Sequence, residues 1–96
     1  MPGYPSDLID LVKEDLAQRE ECLDYASIKR MAAEAPAPRD GLGALHQPGV
    51  SVIAEIIRAC PARGPLADIP DPAGLAQLFV KAGARIVSVQ TERHYY

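Results

Sequence analysis

The stretch Val50–Ile57, VSVIAEII, constrains the fold of this chain more than any other. It is rich in β-branched residues and nearly continuous in its hydrophobicity, the pattern of a parallel strand buried on both faces. A second such stretch, RIVSVQT, occupies Arg85–Thr91. Between them, RACPARGPLADIP at 58–70 holds three prolines and a glycine and reads as a loop. Asp71 then caps a helix with Pro72 at its first position, running through Leu75, Leu78, Phe79 and Ala82 to Gly83. Strand, helix and strand at this spacing make a βαβ unit, whose two strands run parallel.

Upstream, Ser6 is placed to cap a helix with Asp7 and Asp10 in its first turn, near the positive end of its dipole. Leu8, Ile9, Val12, Leu16 and Leu23 fall near one face of it. A shorter helix is predicted from Ser27 to Glu34, ended by Pro36 and Pro38. The segment from Arg39 to Gly49 reads as loop with a helical turn around Leu42–Leu45. The expected organisation is an α/β chain with a helical extension over residues 1–49 and a β-α-β piece over 50–96, one small domain overall. Two parallel strands with one crossover helix leave both sheet edges open and one face uncovered, whereas parallel sheets are normally covered on both.

Composition removes several function classes. With 96 residues and a net charge of −3, the chain lacks the basic surface that nucleic-acid binding requires. Cys22 and Cys60 have no C-x-x-C spacing, and neither His46 nor His94 has a companion at metal-ligand spacing, so no metal is expected. MPGYPSDLID has neither the basic nor the apolar region of a secretory signal, and no apolar run approaches the ~20 residues of a membrane span. A cytoplasmic location is expected, with both thiols reduced. His94, beside Tyr95 and Tyr96, reads as part of a flexible tail.

Several blocks together resemble one family. VIAEIIRACPARG at Val52–Gly64 is similar to the pattern V-I-A-E-x-K-R-x-S-P-S-x-G of the first barrel strand and following loop in indole-3-glycerol phosphate synthases. ADIPDPAGLAQLFVKAGARIVSVQTE resembles that family's A-D-I-x-D-P…A…Y…G-A…I-S-V-L-T-E. The acidic helix at 6–20 and APAPRD at 35–40 match its N-terminal extension. The resemblance implies a partial (β/α)8-barrel segment, an N-terminal helical extension followed by one βαβ unit, ending after the second barrel strand. A whole barrel has eight strands and typically ~250 residues.

The family belongs to tryptophan biosynthesis. The resemblance implies a lyase reaction, the decarboxylating ring closure of a carboxyphenylamino-deoxyribulose phosphate, with no cofactor. That chemistry needs an acid at the ribulose carbonyl, groups for the carboxylate and phosphate, and a second acid–base group for dehydration. Side chains alternate along a strand, so Ser51, Ile53, Glu55 and Ile57 share one face, and Ile86, Ser88, Gln90 and Glu92 share one on the second strand. Glu55 stands at the family's acidic position near the strand end. Ile57 stands where the family has the lysine that pairs with it and contacts the substrate's anionic groups.

Cys60 replaces the first loop serine, a good donor, with a poor one, and Ala62 replaces the second. Arg58, Arg63 and Gly64 keep the basic, glycine-containing loop. Gln90 replaces an apolar residue, and Tyr96 aligns with an aromatic near the anthranilate ring. Glu55 is therefore the catalytic candidate, and Cys60, Arg63 and Tyr96 are the substrate-binding candidates. Cys60 has no base near it in sequence and is not read as a nucleophile.

Three functional expectations stand: a non-catalytic, pseudoenzyme-like homologue acting as a binding or assembly module, a piece of an active synthase whose site another chain completes, and a truncation. The first is favoured. The expected partners are a second copy or a synthase-like protein bound through open strand edges, with weak contact to an anionic small molecule.

Overall fold

The protein, described by a computed structural model over residues 4–96, divides into two compact units, residues 4–39 and 40–96. Residues 1–3 of the expected N-terminal extension lie outside the described range.

The first unit is two helices. α1 spans Leu8–Cys22, with Asp10 in its first turn and Arg19 in its last, both charges complementary to the helix dipole. It begins with Asp7 rather than Ser6 at its cap position. Of its expected apolar stripe only Leu8 is buried, and Ile9, Val12 and Leu16 are exposed. α2 spans Tyr25–Glu34, starting earlier than the sequence pattern indicated because Asp24 is its cap. The Asp24 carboxylate accepts the Ser27 backbone N–H at 2.8 Å. Hydrogen bonds from the Ser27 side chain and backbone hold that carboxyl below its ordinary value. The chain turns extended at Ala35, ahead of Pro36.

The second unit opens with α3, Gly41–Leu45, capped by Asp40, which accepts from the Gly43 N–H at 2.8 Å. β1 (Ile53–Ile56) and β4 (Ile86–Val89) then form a two-stranded parallel sheet, in register Ile53↔Ile86 through Ile56↔Val89. The crossover helix α4, Pro72–Lys81, packs against both strands. Its N-terminus is the expected one: Asp71 accepts from the Gly74 N–H at 3.0 Å, with Pro72 in the first turn. The βαβ unit read from the sequence is therefore present.

Both strands are shorter than the apolar stretches that announce them, because ladder pairing ends where the neighbour ends. Arg85 N–H donates to Val52 O at one end and Gln90 N–H to Ile56 O at the other. Burial also departs from the expectation of a strand covered on both faces. Ile56 is only 2% exposed, but Val52 and Ile53 are about half exposed. Within residues 40–96, one helix, α4, packs on the two-strand sheet, whereas a parallel sheet covered on both faces needs a layer on each side.

Two arginines fasten loop segments within this unit. Arg85 donates from Nη1 to Gln47 O at 3.0 Å and Ser51 Oγ at 2.8 Å, and from Nη2 to Pro48 O at 2.6 Å. The segment so held turns through Gly49, whose φ of +86° only glycine adopts without strain. Arg58 closes the loop after β1. Its carbonyl accepts from Leu66 N and Ala67 N at 2.8 and 3.2 Å, and its Nη2 donates to Ile69 O at 2.9 Å. The loop was expected to be irregular. It contains a small antiparallel ladder instead, β2 (Ala59–Cys60) against β3 (Gly64–Pro65), made by a turn that ends on Gly64 at φ +68°.

Candidate functional site

Alternation along β1 separates Ala54 and Ile56 from Ser51, Ile53, Glu55 and Ile57. The buried Ile56 marks the face that α4 covers, and the exposed Ile53 and Glu55 mark the opposite one. The parallel register sets Glu55 directly beside Ser88. Gln90, two residues on, shares the Ser88 side of β4 and lies just past the strand end.

These three residues form the polar centre of the face opposite α4. Gln90 Nε2 donates to Glu55 Oε1 at 2.5 Å, and Ser88 Oγ donates to the same oxygen at 3.4 Å. Ile57, half-buried on the same face, brings no donor to the carboxylate. As a site, the face offers one carboxylate held by neutral donors and flanked by isoleucines.

The other candidates lie elsewhere in the unit. Cys60 is half-buried in β2 as a free thiol, and Arg63 is exposed at the tip of the β2–β3 turn, so these two share one short hairpin. Tyr96 is half-buried at the end of a turn organised by Glu92. The Glu92 carboxylate accepts His94 N–H and Tyr95 N–H, both at 2.8 Å. Burial raises that carboxyl. The backbone N–H groups of His94 and Tyr95, the His94 charge and the Tyr96 N–H outweigh it, leaving the group below its ordinary value. The segment read from sequence as a flexible tail is thus a hydrogen-bonded turn. Ser88 and Gln90, the partners of Glu55, were not candidates from sequence. Alternation gave their shared face, and the register that brings it to Glu55 exists only in the folded sheet.

A second feature of this unit is an open, mostly apolar hollow lined by Ile69, Pro70, Leu75 and Leu78 together with Asp68 and Asp71. No helix among the described residues is long and apolar enough to cross a membrane.

Comparison with known proteins places these blocks in a wider context. The sequence profile of the family described as indole-3-glycerol phosphate synthase matches residues 6–96. A protein of that name from Saccharopolyspora erythraea is 52% identical over 89 residues, covering 93% of this chain and 33% of the relative. One from Mycobacterium leprae is 52% identical over 85 residues, covering 88% of this chain and 31% of the relative. One from Mycobacterium tuberculosis is 48% identical over 89 residues, again covering 93% and 33%. The chain spans about a third of the length of the curated relatives it matches.

Proposed function

The chain belongs to the indole-3-glycerol phosphate synthase family, and from that premise we propose that it forms the opening segment of a (β/α)8 barrel and, taken alone, does not close the indole ring. What supports this reading is the make-up of the face around Glu55. Ring closure needs a proton donor at the carbonyl and a second acid–base group. Beside Glu55 stand Ser88, Gln90 and Ile57, none of which changes protonation near neutral pH. One carboxylate is half of an acid–base pair. Tryptophan biosynthesis is the pathway context, and these 96 residues act in it as a binding or assembly module.

The test is direct. The purified 96-residue chain, given the carboxyphenylamino-deoxyribulose phosphate, is expected to release no more indole-3-glycerol phosphate than a no-protein control. Absence of one acid–base group costs ~10²–10⁴-fold. Product above the control overturns the proposal.

A second reading has its own support. Ile53 of β1 and Val89 of β4 are each about half exposed, as befits strands that another polypeptide covers. In that case the chain is part of an active synthase whose site is completed by a partner bearing the remaining groups. Turnover by a mixture of this chain with the rest of a relative's barrel, absent from either alone, would favour it.

A further inference from the structure

We infer that Gln90 is a positioning residue for Glu55: its side-chain amide, delivered from the neighbouring strand, fixes where the carboxylate points. The inference rests on the reading of Glu55 as this segment's acid position. It comes from the convergence of two donors on one oxygen.

The backbone sets the geometry first. Gln90 N–H donates to Ile56 O at 3.1 Å, which anchors residue 90 at the C-terminal end of β1. Strand spacing and rise put a residue two positions past the cross-strand partner about 8 Å away along the diagonal. A serine cannot span that separation and a glutamine can. Of the two donors, Ser88 Oγ at 3.4 Å stands at the outer limit of a hydrogen bond, while Gln90 Nε2 is close. Gln90 is therefore the principal hold.

The need for a hold follows from the surroundings. Glu55 is exposed, and an exposed carboxylate on a strand moves freely among its rotamers. Ile57, the next residue along the same face, supplies no donor to restrain it. An amide donor selects one orientation without adding charge. Gln90 is half-buried where Glu55 is exposed, so the more confined side chain steers the freer one.

The test is side-chain NMR on the full chain. Gln18 and Gln77 are exposed and serve as internal references. The Gln90 NH₂ pair is expected to resonate apart from both, and to lose that offset in Glu55→Ala. The Glu55 carboxyl carbon is expected to shift in Gln90→Leu, and to shift less in Ser88→Ala. Adding Ile57→Lys to Gln90→Leu puts a donor on the same face and is expected to move the signal back toward its original position. Should Glu55→Ala fail to fold, Glu55→Gln keeps the size and removes the charge, and must still move the Gln90 resonances. A Gln90 pair that matches Gln18 and Gln77, or that ignores residue 55, overturns the proposal. So does a Ser88→Ala shift as large as that of Gln90→Leu. None of these readouts needs turnover, so the inference can fail while the no-turnover reading stands. Turnover by the chain alone would overturn that reading and leave these resonances as they are.

Discussion

Arg85 shows how one residue can hold a unit together. Its guanidinium serves three acceptors on the segment before β1, while its backbone N–H begins the β1–β4 ladder. A planar fork with several donors can do this, and a single ammonium cannot match the geometry. Arg85→Lys is therefore expected to keep the charge and lose about 1–2 kcal/mol of stability. The loss is read as a lower denaturation midpoint, with faster amide exchange across residues 47–51. An unchanged midpoint together with unchanged exchange would mean that solvent satisfies those acceptors equally well. Nothing in the local sequence announces this contact. Arg85 reads as the first residue of a strand, and its partners lie far upstream, brought near by the sheet itself.

At the scale of elements, helix starts were the most legible feature where two signals coincided. Asp71 followed by Pro72 marks the beginning of α4, since aspartate satisfies an orphan N–H and proline needs no donor there. Asp24 and Asp40 play the same role without a proline. The apolar pattern starts α2 at Ser27, whereas the helix begins after Asp24, whose carboxylate accepts the Ser27 N–H. Asp71→Ala is expected to cost ~0.5–2 kcal/mol, measured by chemical denaturation, with the first turn of α4 losing amide protection. An Asp71→Asn variant should recover most of the loss, and an alanine variant as stable as the parent would contradict the capping role. Strands were legible in kind and not in extent, because hydrophobicity marks what prefers a sheet and only a paired neighbour sets where it stops. The β2–β3 ladder was hidden for the opposite reason: prolines and a glycine signal a turn, and the two-residue pairing on either side adds nothing to that signal. At the site, alternation made the shared face of Glu55 readable, while the Gln90 hydrogen bond depends on register.

For the whole molecule, the family was readable across residues 6–96 because several motif blocks occur in order. The consequence for association follows from the strands. Val52, Ile53 and Val89 are each about half exposed, and Glu55 is the sole charge within β1. Open apolar edges with so little charge and no proline pair with other strands. The expected state of the isolated chain is a two-fold dimer, the commonest symmetric assembly. Sedimentation across a wide dilution series should show the mass falling with concentration. A constant monomer mass, with a melt that does not move with concentration, would rule this out.

The loop after β1 has one more implication, for how sequences like this one can diversify. Arg58 seals the base of that loop through its carbonyl and its guanidinium, so the ring closes beneath the tip at Pro61–Arg63. Residues added at the tip would lengthen a loop whose mouth is already fastened, and once such a loop is long and flexible each further doubling of its length costs only about 0.6 kcal/mol. The tip is thus free to acquire new side chains without renegotiating the sheet below it. In such an arrangement, novelty at the rim and constancy in the frame are mechanically separate.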